Sequence, residues 1–107
     1  MAGCDPTSFG GVLPGYGDQR ELELLVEAGF SPLEAIHIAT QNGAAFLGED
    51  ATIGTIAQGK AADLVVLSGN PAVDINDIEK VDTVFKDGLG YDPLKLTQSV
   101  QGLVGLR

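Results

Sequence analysis

Residues 53–71, IGTIAQGKAADLVVLSGNP, constrain the fold of this chain more than any other segment. Their uninterrupted apolar run, Leu64–Leu67, follows a charged residue and ends before a Gly-Asn-Pro sequence. An apolar run of that length between turn residues is typical of a buried β-strand. The sequence therefore predicts strands over residues 52–56 and 63–67, joined by a turn at Gly59-Lys60.

Helix signals come before these strands. A Gly- and Pro-rich loop over residues 1–17 leads to Asp18, which is predicted to cap a helix that stops at Gly29. Leu22, Leu25 and Val26 recur at the spacing of one buried helix face. Arg20, Glu23 and Glu27 are predicted on the other side.

A second helix is predicted to begin at Ser31. Ser31 and Glu34 have the spacing of a capping box, and Pro32 suits the first helical position. Asn42-Gly43 is expected to interrupt the helix, and Gly48 to end one further turn. The residues predicted to point inward are Leu33, Ile36, Ala39 and Thr40.

The remaining signals are mostly those of strands. Residues 81–86 alternate as a half-buried strand does, and Asp87-Gly88 predicts a hairpin turn into a short strand over residues 89–91. A 3₁₀ turn is predicted near residues 74–77, and Asp92 is predicted to cap a helix over residues 93–103. Helices first and strands second indicate an α+β chain.

Composition excludes several classes of function. A chain of 107 residues suffices for one domain, and a net charge of −9 argues against binding to nucleic acid or anionic membranes. No apolar stretch approaches the roughly 20 residues of a membrane-spanning helix. The single cysteine, Cys4, excludes an internal disulfide and fits a reducing compartment, so the cytoplasm is the favoured location.

The sequence of residues 53–71 resembles the C-terminal part of the metal-dependent amidohydrolase superfamily. The shared phrase is G-x-I-x-x-G-K-x-A-D-L-V-V-L, and the resemblance extends to Ala2-Gly3-Cys4-Asp5, to residues 27–35 and 39–44, and to residues 84–88. The wording is nearest to imidazolonepropionase-like and prolidase-like members.

The resemblance implies a fold for each part of the chain. Residues 1–50 correspond to the end of strand eight of a (β/α)₈ barrel, its active-site loop and the following helices. Residues 51–92 correspond to strands of a small β-sandwich (composite) domain, and residues 93–107 to a C-terminal helix and tail. The chain is thus expected to be an α+β fragment of a larger architecture.

The resemblance also implies a chemistry. Family members hydrolyse C–N bonds of small amide or dipeptide-like substrates with a divalent metal, zinc being the expected ion. Asp5 matches the aspartate that contacts the metal and accepts the proton of the attacking water. A catalytic zinc site needs about three protein ligands, and this chain has one histidine, His37, at a helix position. We therefore expect the isolated chain to be inactive and to hold no metal tightly.

Plainer interpretations stand beside these. Asp5 also fits an Asx turn before Pro6. His37 is predicted to be a surface histidine, and Cys4, which replaces the family's usual threonine, a partly buried thiol rather than a soft metal ligand. A catalytic triad using Ser8 and His37 has no distinguishing support.

The remaining candidates are assigned structural roles. The glycines at 10, 11, 15 and 17 lack the spacing of a phosphate loop and predict a flexible loop. Phe9 and Tyr16 would border the substrate site of the family enzyme, although packing is the preferred interpretation. Lys60 and Asp63 are expected to make a local ion pair or turn hydrogen bonds.

A second functional hypothesis needs no catalysis. A truncated gene product could form a small α+β module whose apolar helix faces, patterned to pack on an absent barrel, associate with a second copy or a partner. The residues expected on those faces are Leu22, Leu25, Val26, Leu33 and Ile36.

Overall fold

The first helix, α1, spans Tyr16–Glu27 in a computed structural model that describes residues 2–3, 12 and 15–103. It begins two residues before Asp18, which lies in its first turn, so the prediction that Asp18 is the cap is wrong. Its end is as predicted. Gly29 has a φ of 106° and donates to the carbonyl of Val26 (2.9 Å), while Phe30 donates to Leu25 (3.2 Å), which is a Schellman motif.

The second helical stretch is continuous from Pro32 to Leu47. It consists of α2 (Pro32–His37), a π-helical segment (Ile38–Asn42) and α3 (Gly43–Leu47). The capping box is confirmed, because the amide of Ser31 donates to Glu34 Oε2 at 2.8 Å and the amide of Glu34 donates to Ser31 Oγ at 3.4 Å. Gly48, with a φ of 74°, ends α3 as predicted.

The predicted break at Asn42-Gly43 is wrong. Gly43 has a helical φ of −61°, and the chain passes through this point with the wider π-helical turn. Thr40 Oγ1 donates to the carbonyl of Ile36 at 2.7 Å, a side-chain bond that competes with the regular backbone pattern. The irregularity is therefore absorbed inside the helix.

The inward face of this helix also differs from the prediction. Ala35 and Ala44 are the buried residues, Ile36 and Ala39 are half-buried, and Leu33 and Thr40 are exposed. The two fully covered positions hold alanine, and apolar periodicity does not predict which apolar residues are covered.

Residues 52–56 do not form the predicted strand. The amides of Thr52 and Ile53 both donate to the carbonyl of Glu49, and Gly54 has a φ of 85°, so the backbone turns instead of extending. The contact of this loop with the preceding helix decides its shape. An ideal Cβ on Gly54 would lie 2.5 Å from the Cβ of Ala44.

An antiparallel sheet of order β1-β2-β3 follows. Its strands are β1 (Leu64–Leu67), β2 (Val81–Lys86) and β3 (Leu89–Tyr91). Val65 lies opposite Val84, and Lys86 opposite Leu89. The predicted hairpin turn is confirmed, since Asp87 and Gly88 have φ values of 51° and 80°, the left-handed pair that a two-residue turn requires.

Two short helices flank the sheet strands. The 3₁₀ helix Ile75–Glu79 lies between β1 and β2, where a 3₁₀ turn was predicted. The last helix, α4, spans Pro93–Ser99, and Asp92 caps it by accepting from the amides of Leu94 (2.9 Å) and Lys95 (3.3 Å). This helix is shorter than the predicted 93–103.

The helical and sheet regions pack together through the 3₁₀ helix, which contacts both α1 and β1. Helix α1 contacts both α2 and the 3₁₀ helix, and α4 contacts β2. Ile75 retains only 7% exposure. The α+β class is thus confirmed. No helix within the described ranges is long and apolar enough to cross a membrane.

The apolar strand β1 is not buried as predicted. Val65 is 56% exposed and Val66 is 45% exposed, although they point to opposite faces of the strand. β1 is also an edge of the sheet, because β2 is its one hydrogen-bonded neighbour among the described residues. The strand is therefore correctly located by its sequence but lacks the cover that its sequence predicts.

Candidate functional site

A groove of about 330 Å³ lies where α1, the π-helical segment and the sheet meet. Its walls are mostly apolar. They comprise Leu22 of α1, Ala39 of the π-helical segment, Val65 of β1, Ile78 of the 3₁₀ helix and Val81 of β2. Apolar walls with a few polar groups at one side are the usual composition of a small-molecule site.

The polar side of the groove comes mainly from the start of α1. Asp18, Gln19 and Glu21 line it there, and Thr40 lines it from the π-helical segment. The side-chain oxygen of Gln19 is buried without a hydrogen-bond partner in the part of the chain that the structure describes. Sequence reasoning did not single out Gln19, and its position in an amphipathic helix provides no signal that would have done so.

The N-terminal residues Ala2 and Gly3 complete the groove. They belong to the Ala2-Gly3-Cys4-Asp5 sequence that carries the family resemblance. Asp5 itself, the predicted metal and catalytic residue, lies outside the described residues, as do Cys4, Ser8, Phe9 and the glycines at 10 and 11. Their predicted roles stay predictions.

Arg20 joins two carboxylates on α1. Its Nη1 lies 2.8 Å from Glu23 Oε2 and 2.8 Å from Glu27 Oε1. The hydrogen bond to Glu23 is the main cause that raises the pKa of Arg20, and the bond to Glu27 adds to it. Glu23 is buried, which corrects the prediction that it lies on the outer side of the helix. A buried carboxylate requires such a partner.

Lys60 makes its hydrogen bonds within the loop that contains it. Its Nζ donates to the carbonyls of Asp50 (2.6 Å) and Ile53 (3.1 Å) and to Thr55 Oγ1. Three bonds use all the donors of an ammonium group. The prediction of turn hydrogen bonds is confirmed, and Lys60 is not placed for catalysis.

Asp63 makes an ion pair, but not the predicted local one, because its partner Lys86 lies 23 residues away in the chain. Its Oδ2 lies 2.7 Å from Lys86 Nζ, and its Oδ1 accepts from the amide of Asp87 at 2.8 Å. The bond from the Asp87 amide, followed by that from Lys86, lowers the pKa of the Asp63 carboxyl. Asp63 therefore ties the start of β1 to the hairpin turn after β2.

His37 is exposed, as predicted, and lies away from the groove. It borders a separate shallow hollow with Phe30, Glu34, Ile38 and Asn42. Within the described ranges, no three His, Cys, Asp or Glu side chains come together in a way that could hold a metal ion. Tyr16 is also largely exposed, so the packing role preferred for it is not observed.

The similarity to known proteins covers most of the elements described above. A model of the amidohydrolase family matches residues 13–89, which includes α1, the π-helical segment, β1, β2 and the first residue of β3. The chain belongs to the amidohydrolase family.

Individual relatives of this amidohydrolase segment are considerably longer. An adenine deaminase of Methanococcoides burtonii is 34% identical over 79 residues, which are 72% of this chain and 12% of the deaminase. A solved Xaa-Pro dipeptidase with methionine bound in its active site is 42% identical with a TM-score of 0.66, over 69% of this chain and 18% of the dipeptidase. Molinate hydrolase has a TM-score of 0.77 at 30% identity, over 87% of this chain and 20% of the hydrolase. The chain thus spans between about an eighth and a fifth of these relatives.

Proposed function

We propose that this chain is part of a metal-dependent hydrolase that cleaves C–N bonds in small amide, cyclic amide or dipeptide-like substrates. Family membership supports this proposal, as do relatives named as a deaminase, a dipeptidase and a hydrolase. Deamination and dipeptide cleavage are both hydrolyses of a carbon–nitrogen bond, so those two relatives are named for the same type of reaction.

Asp5 is proposed as the catalytic carboxylate. The observation that carries this assignment is that Ala2 and Gly3 line the groove, because Asp5 follows Gly3 by two residues and two residues span at most about 7 Å. A carboxylate beside the substrate can accept a proton from the attacking water and return it to the leaving nitrogen. The groove walls at Leu22, Ala39 and Val81 would contact the apolar part of the substrate.

A more detailed assignment of the fold supports the same location for the active site, beside Ala2 and Gly3. We propose that residues 1–50 are the end of a (β/α)₈ barrel, residues 51–92 belong to a small β-sandwich domain, and residues 93–107 are a C-terminal helix and tail. Active sites of such barrels lie at the C-terminal ends of the strands, where residues 2–5 are placed by this assignment.

Zinc is the expected metal of the proposed enzyme. The described residues alone could not hold it. They provide no cluster of three ligands, and a catalytic zinc site needs about three. Asp5 would be one of them. The other ligands would have to come from outside the described residues, and a small amide substrate would bind only where all of them meet.

Transplanting the chain into a relative tests the role of Asp5. Residues 1–107 would replace the corresponding C-terminal part of the Xaa-Pro dipeptidase, and dipeptide hydrolysis would be measured for Asp5→Asn and Asp92→Asn. Both aspartates precede a proline, so the two substitutions are chemically matched. We expect kcat to fall by about 10²- to 10⁴-fold in the first and to change little in the second. Equal activities would remove Asp5 from catalysis.

The isolated chain provides the complementary measurement. Incubated with zinc and amide, dipeptide or lactam substrates, it should show no turnover. Metal-dependent turnover by the 107 residues alone would contradict the requirement for further ligands.

A second candidate function is a non-catalytic module that associates with itself. The observation that favours it is the number of large apolar side chains left exposed, among them Val65, Val66 and Leu33. Exposed apolar patches of this kind mark interaction surfaces.

A further inference from the structure

Lys60 makes two of its three side-chain hydrogen bonds on either side of Gly54. Its Nζ donates to the carbonyl of Ile53 at 3.1 Å and to Thr55 Oγ1, and these residues come immediately before and after Gly54. The third bond goes to the carbonyl of Asp50 at 2.6 Å. An ammonium group has three donors, so all of them are used on one short loop. A single side chain therefore holds the backbone on both sides of Gly54.

Gly54 is the residue at which this loop meets the second helical stretch. An ideal Cβ on Gly54 would lie 3.3 Å from both the Cα of Gln41 and the carbonyl oxygen of Thr40, and 2.5 Å from the Cβ of Ala44. Gln41 and Thr40 belong to the π-helical segment, and Ala44, which is 3% exposed, belongs to α3. The position of Gly54 therefore limits where the π-helical segment and the start of α3 can lie.

The π-helical segment is a conformation that needs support from outside the helix. π-Helical turns are rare, mostly occur singly inside α-helices, and are frequent at functional sites. A π turn contains an extra residue, so its conversion to α-helix would rotate the residues after it by about 100° relative to those before it. Such a rotation could not keep α2 packed on α1 and Ala44 packed on Gly54 at the same time.

We propose that Lys60 is a positioning residue for the groove. By holding Gly54 against the π-helical segment, it keeps Ala39 and Thr40 of that segment in the groove wall. Lys60 does not line the groove itself, so it acts through the backbone of its loop. All of these contacts lie within the chain, so the inference does not depend on what else covers the groove. The effect on substrate binding rests on the proposed function, whereas the effect on the π-helical segment does not.

Residue-resolved amide hydrogen exchange of the 107-residue chain tests the effect on the segment. Lys60→Ala should accelerate exchange at residues 38–44 by at least about tenfold and leave residues 20–27 of α1 within about twofold of the wild type, because the opening is local. Lys95→Ala removes the same charge from an exposed position on α4 and should change neither region. Equal acceleration in the two regions, or none in either, would overturn the proposal.

A milder variant guards against Lys60→Ala unfolding the whole chain. Thr55→Val keeps Lys60 and the shape of the threonine side chain but removes one of the three acceptors. It should accelerate exchange at the same residues 38–44, by a smaller factor, and again spare α1. Exchange at residues 38–44 that matches the wild type in this variant would refute the role of the Thr55 bond in holding Gly54.

Added n-propylammonium tests whether the ammonium group itself is responsible. Lys60→Ala lacks Cγ, Cδ, Cε and Nζ, and n-propylammonium supplies the same three carbons and nitrogen. It should restore slow exchange at residues 38–44, whereas tetramethylammonium, which has no N–H donor, should not. Rescue by neither cation, or by both equally, would contradict the assignment of the effect to the three hydrogen bonds.

The dipeptidase chimera that tests Asp5 also tests the consequence for substrate binding. Lys60→Ala should raise KM by about tenfold and leave kcat within about twofold, because a wall that contacts substrate and transition state alike contributes uniform binding. Lys95→Ala should change neither constant. Faster exchange with an unchanged KM would support the role of Lys60 in holding the segment and show that the groove is not the substrate site. A chimera without activity would count against the proposed function, while exchange in the isolated chain still decides the role of Lys60.

Discussion

Single side chains hold the loops of this protein in place. Lys60 binds three oxygens within residues 50–55, and Asp63 bridges the start of β1 and the turn at Asp87. Lys60 and Asp63 both belong to the motif that carries the family resemblance. Their role in the structure is to stabilise the backbone around the sheet, which explains why a recognisable motif need not contain catalytic residues.

The carboxyl of Asp63 makes stability depend on pH. Its pKa is lowered in the folded state by the Asp87 amide and by Lys86, so its charged form stabilises the fold. That contribution is complete above the unfolded pKa of about 3.9 and is lost as the pH falls through the lower folded value. Asp63→Asn should therefore lower the melting temperature at pH 7, and the difference from the wild type should vanish at low pH.

Asp82→Asn is the matched control for this prediction, since Asp82 is an exposed aspartate on β2. Thermal melts from pH 2 to 7 would compare the three proteins. A deficit in Asp63→Asn that persisted unchanged at pH 2 would show that the lost interaction does not depend on the carboxylate charge.

At the scale of elements, the 49–61 loop packs closely against the π-helical segment and α3 at Gly54. An ideal Cβ on Gly54 would lie 2.5 Å from Ala44 Cβ and 3.3 Å from both Gln41 Cα and the Thr40 carbonyl. Ala39 and Thr40 of this segment line the groove. The loop therefore packs against the segment that forms one wall of the groove.

Alanine substitutions at two glycines of this loop distinguish the cost of a left-handed backbone from the cost of a steric clash. Gly54 and Gly59 have similar φ values of 85° and 89°, but a Cβ on Gly59 would meet nothing within 4 Å. Gly59→Ala should lower the free energy of unfolding by about 1 kcal/mol, the cost of a left-handed non-glycine residue. Gly54→Ala should cost at least about 2 kcal/mol more, because overpacking is added to the same strain. Urea denaturation measures both, and equal losses would rule out the contact with Ala44.

Local signals predicted several elements correctly because their hydrogen bonds close within a few residues. The Ser31–Glu34 capping box, the Gly29 terminator, the Asp87-Gly88 hairpin and the Asp92 cap are of this kind. The strand predicted over residues 52–56 failed for the opposite reason. Its conformation depends on Lys60 and on Ala44, which no local pattern of apolar residues reveals.

At the scale of the whole molecule, the 3₁₀ helix connects the helical and sheet regions, and Ile75 is its buried residue. It is 7% exposed on the 3₁₀ helix that contacts α1. Ile75→Ala should lower the free energy of unfolding by about 2–4 kcal/mol, because a cavity remains where the two regions meet. Ile56→Ala makes the same change at a side chain that is 90% exposed and should cost less than about 0.5 kcal/mol.

Calorimetry and circular dichroism would test both variants. A loss of helix and sheet signals in one transition, shifted to lower temperature in Ile75→Ala, is the expected result. Similar melting temperatures for the two variants would show that Ile75 does not join the regions.

The sequence alone determined the family, the α+β order of elements and most of the boundaries of the helices and strands. The reason is that motifs, caps and turns depend on residues close together in the chain. Only the tertiary structure decided that Ala35 and Ala44 are buried in place of Leu33, that Glu23 is buried against Arg20, and that Val65 and Val66 stay exposed. Burial depends on which surfaces meet in space. The apolar pattern of β1 predicts a covered strand, whereas the three-dimensional arrangement gives it β2 as its one hydrogen-bonded neighbour among the described residues.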